Sequence, residues 1–280
     1  MNEIVYLNGE FMPKEDAKIS PNDRGFIFAD GIYEVAKYYN GKPFRYDDHL
    51  QRLKRSLTEI QIDYNQIESL QSIFSELIDR NNLKNKHAAI YLQISRGEHK
   101  RVHYFPENMQ PTVYAFAFEM PSFKDNLENG IKVITHDDIR WQRCDIKSVS
   151  LLPNTMLYNK AVKAGAGECV LIRDGMVTEA THSSVFGVKN GIVITCPLSN
   201  LILPGITRKV ILEICVADKI PVEERAFSAS ELNEMDELII AGTGSEITPA
   251  IQVNDTFLGN KIPGEITRFI QRKFFEMVNG

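Results

Sequence analysis

The alternation of apolar and polar residues in the first third of the chain predicts strands joined by tight turns. The stretches Ile4–Phe11 and Ile32–Phe44 each contain a strand that turns at an Asn-Gly pair. That pair suits the positive φ angles of a two-residue hairpin. Two more apolar strands begin at Ala88 and Thr112, on either side of an irregular polar loop.

Helical periodicity places two helices between these strands. Asp47 or Asp48 can cap the first helix, and a second amphipathic helix is predicted over roughly residues 66–81. The first helix carries apolar residues at helical spacing: Leu50, Leu53, Leu57 and Ile60. Together these elements predict a self-sufficient α+β domain over residues 1–120.

Residues 131–280 carry a second set of strands, and residues 121–130 have the charged, turn-forming composition of a linker. The predicted strands are IKVITH, ECVLIR, SVFGVK, IVITC and ELIIA. The turns Asp174-Gly175 and Asn190-Gly191 join neighbouring strands at short distance, which predicts antiparallel pairing. Helices are expected near Asn154–Ala164, after Pro204-Gly205 and over Pro263–Val278. The second domain is therefore expected to be larger and mostly antiparallel.

Composition and charge narrow the class of protein. The chain has 280 residues, of which 43% are hydrophobic and 25% charged, so it can bury two cores. The formal net charge is -5, and the basic residues are spread along the chain. Nucleic-acid binding needs a concentrated positive surface, so nucleic acid is not an expected partner. No apolar run approaches the length of a membrane span, and we expect a cytoplasmic protein with no membrane partner.

The four cysteines indicate neither a metal site nor a disulfide framework. They are widely separated and form no C-x-x-C pair: Cys144, Cys169, Cys196 and Cys215. We expect them to be buried thiols in a reducing compartment.

Three lysines near the middle of the chain are candidates for chemistry. Lys160 and Lys163 lie in the last turns of a predicted helix, where lysine faces water and complements the helix dipole. Lys147 lies instead where an extended segment passes into that helix, next to apolar residues. Partial burial would favour the neutral amine that attack on a carbonyl requires. A structural lysine paired with Asp145 fits the same local pattern, so the residues around Lys147 leave both interpretations open.

Two further stretches are suited to binding an anion such as a phosphate. The sequence LPGITR, from Leu203 to Arg208, is a Pro-Gly turn that opens a helix and presents free N–H groups and the Thr207 hydroxyl. The sequence AGTGSEITP, from Ala241 to Pro249, follows a strand and has the small residues of a backbone anion nest. Either stretch alone is more often a capped helix or a loop than an anion site.

Glu179 is a third candidate, in the sequence GMVTEATHSSVFGV. It is expected in a polar turn between two strands. A carboxylate against a pyridine nitrogen would keep that nitrogen protonated and make the ring an electron sink. The alternative is an ordinary solvated acid.

The order of these features resembles that of the fold type IV pyridoxal-phosphate (PLP) enzymes. The series runs from DIK through VTEAT-x-SSVFGV and LPGITR to GTGSEITPA, and the N-terminal DRGFIFADGIYE and DDHLQRL match as well. This family includes D-amino-acid aminotransferases, branched-chain aminotransferases and aminodeoxychorismate lyase. The resemblance implies a two-domain α+β fold, with a small α/β N-terminal domain and a larger, mostly antiparallel pseudo-barrel domain that binds PLP.

The resemblance also implies roles for individual residues. Lys147 would be the Schiff-base lysine and proton carrier, and Glu179 would be the partner of the pyridinium nitrogen. Leu203 would press on the ring face opposite the substrate. The phosphate would be bound by Arg52, the amides of Ile206 and Thr207, and Gly242 with Thr243. An exposed helix arginine remains an alternative interpretation of Arg52.

Arg101-Val102-His103 is the feature that distinguishes members of the family. D-amino-acid aminotransferases place an R-x-H here which, with a tyrosine matching Tyr33, binds the substrate α-carboxylate. An arginine fork with imidazole and phenol donors suits a carboxylate. The resemblance implies a homodimer in which this loop reaches the active site of the partner subunit.

These features favour ping-pong transamination between a D-amino acid, such as D-alanine, and a 2-oxo acid, such as 2-oxoglutarate. A branched-chain L-amino-acid aminotransferase, an aminodeoxychorismate lyase and a non-enzymatic cofactor-binding or metabolite-binding protein are the alternatives. Gly244-Ser245-Glu246 stands where branched-chain relatives typically have a T-A pair, which favours D-amino acids. Two residues depart from the family pattern. Ser184 stands where the family commonly has asparagine, and His182 stands where it usually has a small residue.

Overall fold

The computed structural model describes residues 3–279, so Met1, Asn2 and Gly280 of the predicted domains lie outside the described residues. The chain divides into two compact units. The first comprises the residues up to Pro121 together with the short segment Ile146–Ser150, and the second comprises Ser122–Asp145 and the residues from Leu151 onward. The predicted linker, residues 121–130, contains the helix α4 (Lys124–Asn129).

The first unit is a six-stranded antiparallel sheet with helices. Its strands are β1 (Ile4–Leu7), β2 (Glu10–Pro13), β3 (Gly31–Tyr39), β4 (Lys42–Pro43), β5 (Ala88–Ser95) and β6 (Thr112–Glu119), in the order β2-β1-β6-β5-β3-β4. Its helices are α1 (Arg24–Phe28), α2 (Tyr46–Glu59) and α3 (Leu70–Arg80). One apolar core joins the sheet to α2 and α3, and it includes Ile32, Leu53, Phe74 and Leu92.

Both predicted Asn-Gly hairpins are confirmed. Asn8 and Asn40 each have φ of 48°, and the glycine that follows each has positive φ as well. The turns therefore have the backbone that matches the twist of the strands they join.

The predicted cap of α2 is wrong by two or three residues. The N-cap residue is Arg45, in the left-handed region at φ 55°, and the helix begins at Tyr46. Asp47 and Asp48 lie within the first turn, where their negative charges favour the positive end of the helix dipole.

The second unit is built on a nine-stranded sheet. Its strands are β7 (Ile131–Asp137), β8 (Glu168–Arg173), β9 (Met176–Ala180), β10 (Ser184–Lys189), β11 (Ile192–Thr195), β12 (Val222–Glu224), β13 (Glu237–Gly242), β14 (Glu246–Val253) and β15 (Thr256–Phe257). Its helices are α4, α5 (Leu152–Lys163), α6 (Ile206–Ala217), α7 (Ala229–Leu232) and α8 (Glu265–Asn279).

The pairing in this sheet is mostly antiparallel, with three parallel exceptions. The strand β7 lies parallel to both β8 and β14, and β11 lies parallel to β12. The short turns in the sequence report only on strands that follow one another directly. Between β7 and β8 the chain passes through α5, and a long crossover of this kind permits a parallel pair.

Two predicted loop assignments are also wrong. Glu179 lies within β9, where its side chain is buried, and not in a polar turn. Glu246 to Pro249 begin β14, so the turn after β13 is limited to Thr243-Gly244-Ser245. Glu179 misled the first prediction because its partners, Arg140 and Leu203, come from distant parts of the chain.

The predictions for Lys160, Lys163 and the burial of the cysteines are confirmed. Lys160 and Lys163 are exposed on α5, which ends near Gly165 at φ 65°. The four cysteines are buried and free. None of the helices in residues 3–279 is long and apolar enough to cross a membrane.

Candidate active site

Lys147 is held in the first unit by backbone pairing with β3. Its carbonyl accepts a hydrogen bond from the Tyr33 amide at 3.0 Å, and the next residue, Ser148, bridges to Ile32. The Lys147 amide donates to the Ser56 hydroxyl at 3.3 Å. The Lys147 ammonium lies 4.2 Å from the centre of the Tyr33 ring. The structure therefore brings together the predicted Schiff-base lysine and the predicted substrate-binding tyrosine.

Arg52 is buried, so its interpretation as an exposed helix arginine is wrong. Its Nε donates to Glu34 Oε1 at 2.7 Å, and its Nη2 donates to Glu34 Oε2 at 2.8 Å. His49 Nδ1 lies 2.9 Å from the same Oε2. Glu34 and His49 were not predicted as site residues. Their signal in the sequence is a carboxylate beside Tyr33 and a histidine one helical turn from Arg52.

The charges in this cluster shift one another's protonation. Burial alone would raise the pKa of the Glu34 carboxyl, but the Arg52 guanidinium and the His49 imidazole hold it well below its usual range. Burial lowers the pKa of His49, and the positive charges of Arg52 and Lys147 lower it further. The Glu34 carboxylate raises this pKa but does not outweigh them. Glu34 is therefore an anion that holds Arg52 in one orientation near Lys147.

Arg101 and His103 lie on the exposed loop between β5 and β6, and both are near the Phe28 ring. The Arg101 guanidinium is 5.2 Å from the Phe28 centroid, and the His103 ring is 5.4 Å from it. The two side chains are thus brought together and remain accessible. Within residues 3–279 neither makes a ring contact or hydrogen bond with Tyr33.

In the second unit, the Glu179 carboxylate accepts hydrogen bonds from two groups. The Leu203 amide donates to Oε2 at 3.1 Å, and Arg140 Nη1 donates to Oε1 through a short contact. Burial raises the pKa of Glu179, and the Arg140 guanidinium opposes that rise. Two of the predicted residues, Glu179 and Leu203, therefore lie side by side.

Arg140 and Asp138 are residues of this site that sequence reasoning missed. Two nitrogens of Arg140 donate to Asp138, each at 2.9 Å, and Thr178 Oγ1 donates to the same carboxylate at 3.1 Å. Asp138 thereby orients the guanidinium toward Glu179. The D-x-R spacing was visible in the sequence, but only the fold shows its connection to Glu179.

The first turn of α6 is the first of the two candidate phosphate sites. Its N-cap is Gly205, with no side-chain cap, and Ile206 and Thr207 are buried in its first turn. The first N–H groups of a helix have no acceptor within the helix. A Cβ on Gly205 would lie 2.8 Å from the Ser184 hydroxyl, so Ser184 packs against this turn.

The second candidate phosphate site is the turn after β13. Gly242 pairs with Glu246, which leaves Thr243 at the tip of a tight hairpin. The hydroxyls of Ser183 and Ser245 lie 3.1 Å apart across its base. Small residues and hydroxyls therefore line this turn.

His182 directly precedes Ser183, one of the two serines at this turn. Its Nδ1 lies 3.0 Å from Oε2 of the buried Glu168. Burial would raise the pKa of Glu168, but the contacts with His182 and Thr181 lower it below its usual range. The departure at His182 is thus accommodated by a buried carboxylate.

These residues have the chemistry that PLP requires. A buried carboxylate such as that of Glu179 suits a protonated ring nitrogen, the uncapped amides of a helix such as α6 suit a phosphate, and Lys147 has an amine. Among residues 3–279, no group of three or more His, Cys, Asp and Glu side chains is arranged to hold a metal ion.

Comparisons with known proteins agree with this chemistry. The family model described as amino-transferase class IV matches residues 31–253. A D-alanine aminotransferase of Staphylococcus haemolyticus is 42% identical over 272 residues, which are 96% of this chain and 96% of that protein.

Solved structures share the fold. The branched-chain amino acid aminotransferase of Escherichia coli has a TM-score of 0.93 at 27% identity, covering 99% of this chain and 94% of that one. The branched-chain enzyme of Thermobaculum terrenum, solved in its PLP form, has a TM-score of 0.88 at 21% identity, covering 99% and 94%. The second likeness concerns the fold alone. This chain belongs to the class IV aminotransferases, the fold type IV family that its sequence resembles.

Proposed function

We propose that this protein is a PLP-dependent D-amino-acid aminotransferase. It transfers the amino group between a D-amino acid, such as D-alanine, and a 2-oxo acid, such as 2-oxoglutarate. The observation that carries the proposal is the near full-length identity of 42% to a D-alanine aminotransferase. The adjacent, accessible Arg101 and His103 support it, because they offer paired donors for a carboxylate.

Lys147 is assigned the covalent attachment of PLP and the movement of the α-proton. Bound PLP supplies an aldehyde for the amine and a ring that accepts an electron pair. The Lys147 amine would hold the cofactor and would serve as the group that carries a proton from and to the substrate. Its backbone pairing with β3 fixes where that amine can reach, and proton transfer depends on this distance.

Glu179 is assigned the ring nitrogen, and Leu203 the ring face opposite the substrate. The Leu203 amide and Arg140 occupy one side of the Glu179 carboxylate and orient it. Arg140 also favours the ionised form of Glu179, which is the form that holds a proton on the ring nitrogen.

The cofactor phosphate is assigned to Arg52, to the amides of Ile206 and Thr207, and to Gly242 with Thr243. A guanidinium and a helix N-terminus both favour a dianion. Glu34 supports the assignment of Arg52, because it fixes the orientation of a buried cation.

The substrate carboxylate is assigned to Tyr33, Arg101 and His103. We also propose that the protein acts as a homodimer in which the Arg101 loop serves the partner's site. Exposed apolar side chains in the first unit, such as Phe26, which is 80% exposed, support such an interface. The cytoplasmic location stays a prediction from the sequence.

Branched-chain L-amino-acid transamination is the second candidate, because solved branched-chain enzymes share the fold. Half-reaction spectroscopy separates the two. We expect D-alanine, in the absence of an oxo acid, to convert the lysine-bound cofactor to its amine form, while L-leucine leaves the spectrum unchanged. Conversion by L-leucine alone would contradict the proposal, and continuous pyruvate release from aminodeoxychorismate would indicate the lyase.

A further inference from the structure

Arg24 makes a hydrogen bond that connects it to both proposed carboxylate ligands. Its Nη1 donates to the carbonyl of Val102 at 2.6 Å, and Val102 is the residue between Arg101 and His103. Arg24 is only 2% exposed. Its guanidinium also lies 4.7 Å from the centre of the Phe28 ring, the same ring that Arg101 and His103 approach. A buried arginine therefore holds the loop at the residue between the two that are proposed to bind substrate.

Asp30 fixes Arg24 in this position. Arg24 Nε donates to Asp30 Oδ2 at 2.7 Å, and Arg96 donates to both oxygens of the same carboxylate, at 2.8 and 2.9 Å. Bidentate contacts between a guanidinium and a carboxylate restrict both groups to one plane. Asp30 thus orients two buried guanidinium groups at once.

Arg96 connects this cluster to the neighbouring backbone and to the loop. Its Nη1 and Nη2 donate to the carbonyls of Gln61 and Ile60 at 2.8 and 2.6 Å. Its guanidinium lies 3.6 Å from the centre of the Phe105 ring, close to van der Waals contact. The loop is therefore held at Val102 by Arg24 and at Phe105 by Arg96.

We propose that Arg24, Asp30 and Arg96 are positioning residues for substrate recognition: they hold the loop so that Arg101 and His103 meet the α-carboxylate in one geometry. This inference rests on the proposed function, because it assumes the assignment of Arg101 and His103. None of the three needs to contact substrate. They should therefore affect how tightly the substrate carboxylate is bound, and they should not affect the rate of proton transfer at Lys147.

Arg24→Lys is the first test. Lysine keeps the positive charge beside Asp30. Its single amine cannot also make the hydrogen bond that Arg24 Nη1 donates to the Val102 carbonyl. In the holoenzyme, half-reactions with D-alanine are followed by the cofactor absorbance. We expect the apparent Kd of D-alanine to rise about tenfold or more, because small misplacements of binding groups carry large costs. The limiting rate should stay within about twofold.

A double-mutant cycle with Arg101→Gln identifies the route of the effect. If Arg24 acts through Arg101 and His103, the Arg24→Lys change should cost clearly less once Arg101 has been removed, because only His103 is then left for it to position. Additive effects of the two changes would overturn the proposal, as would an unchanged Kd in Arg24→Lys. If Arg101→Gln itself leaves the Kd for D-alanine unchanged, the carboxylate assignment fails, and with it the basis for this inference.

Phe105→Leu tests the second anchor without removing a buried charge. Phe105 is 48% exposed, so its loss should leave the fold and the melting temperature almost unchanged. We expect a rise of about threefold or more in the apparent Kd, because the loop loses its contact with Arg96. Tyr104→Leu is the matched control, since Tyr104 is 68% exposed and its ring stacks on neither arginine in the described part of the chain. Equal effects of Phe105→Leu and Tyr104→Leu would overturn the proposal, even if Arg24→Lys should fail to fold.

Discussion

The ammonium of Lys147 lies 4.2 Å from the centre of the Tyr33 ring, and the two residues are joined by a backbone hydrogen bond of 3.0 Å. One residue is proposed to carry the cofactor, and the other to bind the substrate carboxylate. Their backbone connection fixes the distance between the two functions, because β3 and the Lys147 segment cannot move independently without losing that bond.

Lys147→Ala should abolish transamination and the yellow colour of the lysine-bound cofactor. A rate loss of at least about 10³-fold is expected, because no other group is assigned to accept the α-proton. Absorbance spectra and coupled assays with D-alanine measure both effects. Lys160→Ala and Lys163→Ala remove exposed lysines of α5 and serve as controls with nearly normal rates. Normal transamination by Lys147→Ala would disprove the assignment.

Arg140→Met should shift the acid limb of the pH–rate profile to higher pH. Burial already raises the pKa of Glu179, and the Arg140 guanidinium opposes that rise. Without it the Glu179 carboxyl is protonated at a higher pH and no longer holds the proton of the ring nitrogen, so the loss of kcat is largest in acid. Arg173→Met is the control, because Arg173 contacts Asp138 instead. An unchanged acid limb in Arg140→Met would mean that Glu179 does not titrate in catalysis.

Glu34→Gln should destabilise the protein by about 3–5 kcal/mol, because it leaves the buried charge of Arg52 without its carboxylate. Chemical denaturation near neutral pH measures the free energy of unfolding. The control is Glu68→Gln, whose carboxylate pairs with Lys54 in solvent and should contribute little. A weaker affinity for PLP is expected as well, since Glu34 orients Arg52. Similar losses in the two variants would contradict the importance assigned to burial.

The stabilisation by Glu34 should depend on pH in a defined direction. The Arg52 guanidinium holds the pKa of Glu34 below its ordinary value of 4.5. A carboxyl with a lowered folded pKa stabilises the protein fully above its unfolded pKa, and that stabilisation is lost as the pH falls through the folded value. The difference in unfolding free energy between wild type and Glu34→Gln should therefore be constant down to about pH 4.5 and shrink below it. A difference that grows in acid would contradict this sign.

Gly97→Ala should displace the loop that carries Arg101. Gly97 has φ of 96°, and an added Cβ would lie 1.9 Å from the carbonyl oxygen of Gln110, so the backbone must shift. Gly9→Ala is the matched control, with φ of 102° and no atom within 4 Å of the added Cβ. The control should lose about 1–2 kcal/mol from the backbone conformation alone. Gly97→Ala should lose more and raise the KM for D-alanine; equal losses and an unchanged KM would show that the loop tolerates the shift.

The local pattern of the sequence determined much of the fold. The Asn-Gly pairs fixed two hairpins, because few residue pairs adopt positive φ at low cost. Apolar periodicity located the long helices and most of the strands, and it showed that Lys160 and Lys163 face solvent. The order of short motifs then identified the family, and with it the candidate roles of Lys147, Glu179 and Arg52.

The tertiary structure alone decided which buried charges are partners. Arg140 donates to Glu179 across 39 residues, and Arg24 donates to Val102 across 78. Glu179 looked like a solvated turn residue until the fold placed it inside β9 beside a guanidinium. Buried charges are stable only when paired, and the pairing depends on which strands and loops become neighbours. The residues next to each charged side chain in the sequence therefore do not show which partner it will have in the folded protein.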